Sequence, residues 1–289
     1  MSNNIFEEEF CMKKFALFVV SILTVVLLAA CGSSDVSKSA STDDTKHIRI
    51  GFSPGPYSDQ VRKGIEPILK EKGYTIEFVE FTSGNEINFA LAEGSLDANI
   101  FQHTAYFESF IKENKLDLVE TIKVPTAPMG IYSDKLTEIK LDTSTKYKVL
   151  IPNDPPNIAR ALRILEEGGF LTLKSDYDPL TVSLHDIESY KVEIEFVEVE
   201  QAQLARLISD VDYAVVNGNY ILASDRKLSD SLLLENPPFE YQNLIAVRTE
   251  DKDKTFVKDL TDAYQTEDFQ QLIETDPQFE GFWQPPYFK

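Results

Sequence analysis

Two kinds of hydrophobic pattern alternate along the chain from residue 47 onward. Alternating apolar and polar positions, or short apolar runs, predict strands over residues 47–53, 75–81, 96–101, 147–151, 192–199, 213–216 and 244–247. Apolar positions at helical spacing predict helices over residues 61–72, 87–93, 158–167, 201–209, 256–265 and 269–273. Because strands and helices follow one another in turn, the pattern predicts an α/β fold with mostly parallel sheets flanked by helices.

The predicted strands and helices fall into two groups, which indicates two lobes. We expect the first lobe to comprise residues 47–130 and 245–289, and the second lobe residues 131–244. Pro67 inside the first helix is expected to kink it, and the aromatic segment 279–288 is expected to dock on the first lobe. Ligands of such sheets bind beyond the carboxyl ends of the strands, which is where the motifs described below occur.

A separate apolar run, residues 15–30, precedes the folded part. Lys13 and Lys14 stand before this run and Cys31 follows two alanines, the arrangement of a signal peptide with a small-residue cleavage site. The cysteine resembles that of a bacterial lipobox, so we expect cleavage after residue 30 and lipidation of Cys31; an ordinary secretory signal with a chance cysteine is the alternative. We expect translation to start at Met12, because the segment before it contains Glu7, Glu8 and Glu9, and the start of a signal peptide is normally basic.

Composition narrows the function classes. The net charge of −20 argues against nucleic acid as a partner, because phosphates require a basic surface. Residues 31–46 are rich in Ser, Thr, Asp and Lys and predict a flexible tether. Removal of residues 1–30 leaves Cys31 as the sole cysteine, which excludes a disulfide and a cysteine metal site. We expect neither a cofactor nor a metal.

An aromatic and imidazole motif stands at the end of the predicted strand 96–101. Phe101 and Tyr106 could clamp an apolar or thioether side chain, since sulfur packs favourably on aromatic rings. His103 lies between them and could hydrogen-bond a polar group of a ligand. The alternative is a strand that leads into a packed helix, with His103 as a satisfied interior residue.

Three further polar residues stand at strand ends or helix starts. Arg160 lies in the first turn of the helix 158–167, which Asp154 or Asn157 could cap. A cation is disfavoured there unless an anion binds, and a surface arginine is the alternative. Its replacement is expected to weaken ligand binding and leave folding nearly intact. Asn217 follows a predicted strand and could accept from an ammonium group, although such residues also form turns. Asn243 lies where the chain is expected to return between the lobes.

Several segments together resemble the NlpA/MetQ family of methionine-binding lipoproteins, which feed ABC importers. They are GFSPGP (51–56), LDANIFQHTAYFESF (96–110), PMGIYS (128–133), IPNDPPNIARALRIL (151–165) and VVNGNYIL (215–222), and they occur in the family's order. The resemblance implies a two-lobed fold similar to type II periplasmic binding proteins, with a hinged cleft. It also implies that Phe101 and Tyr106 clamp the methionine side chain, with His103 alongside. Arg160 then corresponds to the carboxylate-binding arginine, and Asn217 and Asn243 to the amino-group contacts.

The chain departs from the family pattern near the side-chain pocket. Gly84 stands where the family usually has a tyrosine that walls the pocket, and Ile87 where it has a proline. Pro156 and Ala159 stand where Thr and Gly are usual. Loss of the large ring is expected to open space, so that a methionine derivative or a short peptide could bind instead of methionine.

The sequence therefore favours a substrate-binding protein on the extracytoplasmic face of the cell membrane, attached through a lipid anchor. We expect it to bind methionine or a related amino acid, to deliver it to an ABC transporter permease, and to be monomeric. An extracellular enzyme or an adhesin on the same fold remains as an alternative. A binder leaves its ligand unchanged and gains thermal stability as the ligand concentration rises.

Overall fold

A computed structural model describes residues 46–288 of the chain. The predicted signal peptide, Cys31 and the tether up to residue 45 lie outside the described residues. Within them the chain forms two five-stranded sheets with helices, so the predicted α/β class is confirmed. No helix of residues 46–288 is both long enough and apolar enough to cross a membrane.

Strands and helices follow one another along residues 46–288. The strands are β1 (His47–Phe52), β2 (Thr75–Glu80), β3 (Ala98–His103), β4 (Leu118–Lys123), β5 (Gly130–Tyr132), β6 (Lys146–Pro152), β7 (Leu171–Leu173), β8 (Ile187–Tyr190), β9 (Glu193–Val199), β10 (Tyr213–Val216), β11 (Leu233–Leu234) and β12 (Asn243–Arg248). The α-helices are α1 (Tyr57–Gln60), α2 (Glu66–Glu71), α3 (Ile87–Ala92), α4 (Thr104–Asn114), α5 (Pro155–Glu167), α6 (Gln201–Leu204), α7 (Gly218–Leu222), α8 (Thr255–Tyr264) and α9 (Glu267–Thr275). Short 3-10 helices lie at Leu184–Asp186, Ala205–Asp210, Leu228–Asp230, Phe239–Tyr241, Thr249–Asp251 and Pro277–Phe279.

The chain crosses twice between the two large sheets. The first sheet has the strand order β2-β1-β3-β12-β4 and the second β11-β5-β10-β6-β9, while β7 and β8 form a separate pair. The chain leaves the first sheet after β4, enters the second with β5 and returns with β12. These crossings lie beside the predicted lobe boundaries, and they place Gly130 in the second sheet and Asn243 and Leu244 in the first.

Half of the strand pairings in the two large sheets are parallel, where the sequence predicted mostly parallel sheets. β1 pairs in parallel with β2 and β3, and β6 with β9 and β10. β5 and β12, which enter a sheet from the other lobe, run antiparallel to both of their neighbours. Parallel pairing follows from a crossover helix within one sheet, and a strand that arrives from the other lobe has no such constraint.

The central strands are buried on both faces, which explains their continuous apolar runs. In β12, Leu244 packs in the same cluster as Ile87 on one face, while Ile245 packs with Phe256 on the other. In β10, Tyr213 and Ala214 likewise belong to different clusters. Each sheet is therefore a rigid layer between two apolar cores, and the polar residues at its strand ends are held in fixed positions.

A π-helical turn accommodates Pro67. The turn covers Val61–Ile65 between α1 and α2, and the N–H of Glu66 bonds to the carbonyl of Val61. A proline within a regular helix removes one hydrogen bond and clashes with the carbonyl four residues earlier. The helix is interrupted at the π-helical turn instead, and α2 then begins with Pro67 in its first turn, where a proline is tolerated.

The C-terminal aromatic segment packs on the first lobe, as predicted. Phe279 and Phe282 are buried in the core of that lobe. Trp283 forms a backbone bridge with Thr126 in the first crossing segment. The segment therefore covers the first lobe next to the place where the chain passes to the second.

Candidate functional site

A cavity lies between the lobes, and all of the predicted ligand contacts line it. The predicted residues that line it are Phe101, His103, Tyr106, Arg160, Asn217 and Asn243. Residues of the lining that the sequence did not assign to the ligand include Tyr57, Gln102, Asn157, Glu200, Gln201, Asn219 and Tyr220. The fold thus brings together side chains from both lobes that are far apart in the sequence.

His103 is the last residue of β3 and the N-cap of α4. Its Nδ1 accepts from the N–H of Tyr106 at 3.1 Å, so the ring proton is on Nε2, which donates to Oδ1 of Asn157 at 3.1 Å. Both ring nitrogens are therefore engaged within the protein. The geometry agrees with the satisfied interior residue that the sequence left as an alternative, and it makes His103 a link between the lobes.

Burial is the main cause that lowers the pKa of His103 from 6.5 to about 3, and the positive charge of Arg160 adds to it. Desolvation disfavours the charged imidazolium, and Asn157 is too weak a partner to compensate. His103 is accordingly neutral throughout the physiological pH range. Its low pKa and the engagement of both ring nitrogens make it a poor general base near neutral pH.

The buried neutral state of His103 predicts acid sensitivity. The unfolded chain binds a proton below a pKa of about 6.5 and the folded chain only near 3, so the contribution to stability is full above 6.5 and is lost as the pH falls toward 3. His103→Asn keeps an N-cap acceptor without titrating. We expect the free energy of unfolding of the parent to fall by on the order of 3 kcal/mol more than that of the variant between pH 7 and pH 4.

Urea unfolding at both pH values measures this difference. His185→Asn, at an exposed histidine in the second lobe, serves as the matched control and should retain the acid sensitivity of the parent. Equal pH dependence in the parent and His103→Asn would show that His103 is not buried as a neutral group.

Arg160 is buried and paired with Glu235, which the sequence analysis missed. Its Nε lies 3.0 Å from both carboxylate oxygens of Glu235, and its Nη2 donates to Oε1. The same carboxylate accepts from the N–H of Met129 at 2.7 Å. Glu235 follows β11 and begins the segment 235–242, through which the chain returns to the first lobe. The pair therefore joins α5 of the second lobe to this segment.

The Arg160–Glu235 pair changes two expectations. Arg160 is neither a surface arginine nor a free cation, since its side chain is only 3% exposed. Its removal would leave the carboxylate of Glu235 buried without a counter-ion, so we now expect that replacing Arg160 destabilises the fold rather than leaving it nearly intact. Nη1 makes no hydrogen bond within residues 46–288.

Asn157 is the centre of a hydrogen-bond network at the start of α5. Its Oδ1 accepts from His103 and from Nδ2 of Asn217, the latter at 2.9 Å. Its Nδ2 donates at 2.8 Å to Asp154, which caps α5 and also accepts from Gln201. The network orients the amide of Asn217, because the Nδ2 of that residue is committed to Asn157.

Asn217 presents an unused acceptor. It occupies the N-cap position of α7, but its side chain makes no capping bond. Its Oδ1 is buried and has no hydrogen-bond partner in the part of the chain that the structure describes. Leaving a buried carbonyl unpaired costs about 1–3 kcal/mol, so this oxygen, on a residue that lines the cavity, is an acceptor without a donor in the described part of the chain.

Asn243 begins β12 and is only 5% exposed. Its backbone N–H donates to the hydroxyl of Thr126 at 2.8 Å, and its carbonyl accepts from Val124. The side chain lines the cavity and makes no hydrogen bond within residues 46–288. Its carboxamide is therefore available to a ligand.

An aromatic wall forms the apolar end of the cavity. The rings of Phe101 and Tyr106 meet edge to face at 6.2 Å, and Phe110 stacks behind Tyr106 at 5.7 Å. A β-carbon placed at Gly84 would lie 2.9 Å from the ring of Phe101. The ring thus occupies the space beside Gly84 that the sequence predicted to be open, and the pocket is not widened there.

Two carboxyl groups lie near this wall. Burial raises the pKa of Asp154, in spite of its bonds to Asn157 and Gln201, and it also raises the pKa of Glu200. The pKa of Tyr106 is raised as well, chiefly by burial and further by these two carboxyls. No group of three or more metal-ligating side chains occurs within residues 46–288.

Glu235 and Asn157 are the most important residues that sequence reasoning missed as parts of the site. Glu235 is one of 48 acidic residues, and nothing local distinguishes it. The sequence identified Asn157 only as a candidate helix cap. It lies one turn before Arg160 on a helix that starts at a strand end, and this position could have indicated a residue of the site. Both act through partners distant in sequence, which pattern analysis does not reveal.

A model of the NlpA lipoprotein family matches residues 48–286. The D-methionine-binding lipoprotein MetQ of Salmonella typhi is 33% identical over 263 residues, which cover 90% of this chain and 93% of that protein. The methionine-binding lipoprotein MetQ of Bacillus subtilis is 32% identical over 272 residues, which cover 91% of this chain and 96% of that protein. The resemblance inferred from the motifs is confirmed.

Solved structures show the same architecture. A nutrient binding protein from Burkholderia cenocepacia, bound to methionine, aligns with a TM-score of 0.75 at 36% identity, covering 81% of this chain and 97% of that one. An ABC transporter periplasmic substrate-binding protein from Coxiella burnetii aligns with a TM-score of 0.75 at 33% identity, covering 82% of this chain and 99% of that one. The expected two-lobed binding-protein fold is thereby confirmed.

Proposed function

We propose, because this chain belongs to the NlpA lipoprotein family, that it binds methionine in the cavity between its lobes and delivers it to the permease of an ABC importer. The proposal is supported by the names of its relatives from Salmonella typhi and Bacillus subtilis, which are methionine-binding lipoproteins. It is further supported by the methionine bound to the similar protein from Burkholderia cenocepacia.

One observation carries the proposal: the same cavity offers a donor for an anion and an acceptor for a cation. Nη1 of Arg160 is left unbonded after pairing with Glu235, and Oδ1 of Asn217 is buried without a partner in the described part of the chain. An α-amino acid carries both complementary charges on adjacent groups. Hydrogen bonds to charged groups contribute about 1.5–3 kcal/mol each, so a few of them support micromolar affinity or better.

The apolar end of the cavity fits a thioether side chain. Phe101 and Tyr106 present ring faces and edges there, and sulfur near a ring edge gains about 0.3–1.5 kcal/mol. The contact between Gly84 and Phe101 removes the reason to prefer a bulkier methionine derivative or a peptide. Methionine is therefore the ligand that the geometry supports best.

Asn217→Ala tests the proposed ammonium contact. Truncation removes the oxygen that accepts from the ligand, so we expect the Kd for methionine to rise by about 10- to 100-fold. Isothermal titration calorimetry with L- and D-methionine gives the affinity and the enantiomer preference. Asn114→Ala, at the end of α4 and outside the cavity lining, should bind as the parent does.

Two outcomes would count against the proposed function. A parent protein that shows no binding heat and no rise in melting temperature with either enantiomer would not be a methionine-binding protein. Equal affinity in the parent and Asn217→Ala would remove Asn217 from the ammonium site.

The remaining parts of the proposal concern location and partners. Cleavage before Cys31 and its lipidation would place the binding lobes outside the cytoplasm, tied to the membrane by acyl chains, and the monomer would release its ligand to the permease. A purely binding role is supported by His103, whose ring nitrogens are both engaged and whose pKa lies near 3. Metabolic labelling with a fatty acid and a Cys31→Ser control would test the anchor.

A further inference from the structure

Thr126 is fully buried in the segment through which the chain first passes between the lobes, and each of its polar groups is bonded. Its backbone N–H and carbonyl pair with Trp283 of the C-terminal segment at 3.0 and 2.9 Å. Its hydroxyl donates to the carbonyl of Val124 and accepts from the backbone N–H of Asn243, both at 2.8 Å. One side chain thus connects the segment after β4 to the start of β12.

The hydroxyl replaces a missing sheet acceptor. β4 ends at Lys123, three residues before Thr126. Asn243 is the first residue of β12; its carbonyl accepts from the N–H of Val124, and its N–H donates to the hydroxyl of Thr126. Without the hydroxyl of Thr126 this N–H would be buried and unpaired, which folded proteins avoid.

We propose that Thr126 is a positioning residue for ligand recognition, and that its hydroxyl holds the Asn243 backbone so that the Asn243 carboxamide meets the amino group of the ligand. The inference rests on the proposed function. The carboxamide lines the cavity and makes no hydrogen bond within residues 46–288, so its position depends on the backbone and on packing. A displacement of about 0.5 Å is enough to impair a preorganised contact.

The test compares two variants that separate the volume of the Thr126 side chain from its hydroxyl. Thr126→Val keeps the volume and removes the hydroxyl, whereas Thr126→Ser keeps the hydroxyl. We expect the Kd for L-methionine to rise by about tenfold or more in Thr126→Val and to change by less than about threefold in Thr126→Ser. The full chain is used, and Thr126→Ala replaces Thr126→Val if the valine variant does not fold.

A ligand without the amino group separates positioning from a general structural effect. We expect the parent and Thr126→Val to bind 4-(methylthio)butanoate with equal affinity, because that molecule has nothing for Asn243 to contact. If Thr126→Val bound both ligands more weakly to the same extent, this inference would be overturned and the proposed function would stand. The same holds if the parent binds methionine and Thr126→Val binds it with equal affinity. Absence of methionine binding in the parent would overturn the proposed function and this inference with it.

Discussion

Replacing Arg160 by methionine is expected to abolish detectable methionine binding and to lower the free energy of unfolding by about 3–5 kcal/mol. We expect binding to be lost because Arg160 lines the cavity and its Nη1, which makes no hydrogen bond within residues 46–288, is the donor proposed for the ligand carboxylate. Stability is lost because the carboxylate of Glu235, whose side chain is 5% exposed, would keep only the N–H of Met129 as a partner. A buried carboxylate without its counter-ion is strongly disfavoured.

A second substitution separates the two effects. In the double variant Arg160→Met/Glu235→Gln, the glutamine oxygen can still accept from the N–H of Met129, and no buried charge remains. We expect most of the lost stability to return in urea unfolding, while calorimetry still detects no binding. Arg163→Met, one turn further along α5 at a side chain that is 28% exposed, is the matched control and should bind normally.

Two results would contradict this account of Arg160. Binding by Arg160→Met with the affinity of the parent would exclude Arg160 as the carboxylate contact. A double variant as unstable as the single one would show that the uncompensated charge of Glu235 is not the cause of the loss. The two measurements are independent, since one reports on the ligand and the other on the fold.

Replacing Gly55 by alanine is expected to raise the Kd for methionine by about 10- to 100-fold, because the lobes can no longer meet across the cleft. Gly55 follows β1 in the first lobe, and a β-carbon there would lie 2.7 Å from Cβ and 2.9 Å from the carbonyl oxygen of Asn219 in the second lobe. Asn219 also donates to the carbonyl of Pro54 at 3.0 Å. Backbone atoms cannot move aside as a flexible side chain can, so the added methyl group separates the lobes. A fold-change of this size corresponds to about 1.4–2.8 kcal/mol of lobe contact.

Backbone strain must be distinguished from this lobe contact. Gly55 has a φ of +134°, a conformation that alanine adopts at a cost of roughly 1–3 kcal/mol. Gly73 has a φ of +84° and no atom within 4 Å of a β-carbon placed there, so Gly73→Ala carries strain without a clash. We expect Gly73→Ala to lose stability and retain affinity, and Gly55→Ala to lose both.

Titration calorimetry and thermal unfolding of these two variants decide between the causes. If both variants bound methionine as the parent does, contact between Gly55 and Asn219 would not be required for binding. If both lost affinity to the same degree, strain in either loop would be sufficient, and the lobe contact would not explain the effect. The expected split therefore tests whether ligand binding depends on closure of the cleft.

The pattern of apolar positions was sufficient to predict the strands that are buried on both faces. The apolar run at Tyr213–Val216 coincides with β10, because a strand covered on both sides needs apolar residues at every position. The same pattern did not predict β4, because its sequence (LVETIK) mixes apolar and polar residues without a clear alternation. This strand lies at the edge of its sheet. Solvent on one side of an edge strand permits polar residues, and these obscure the period.

The predicted site residues were found through strand ends and family motifs, and the fold brings all six to one cavity. The hydrogen-bond partners and protonation states of these residues could not be predicted from the sequence. The spacing of His103 and Tyr106 did not show that the imidazole caps a helix and has a pKa near 3. Desolvation and the field of Arg160 produce that shift, and neither exists before the lobes are packed together.

By itself, the sequence determined the α/β class, the family and the residue types of the cavity, because these follow from local period and from motifs that are contiguous in the chain. Only the tertiary structure decided that Arg160 is neutralised by Glu235, that the hydroxyl of Thr126 bonds to the backbone of Asn243, and that Phe101 fills the space beside Gly84. Each of these contacts joins residues that are distant along the chain. Their energies arise from burial and from specific distances, which the linear order of residues does not contain.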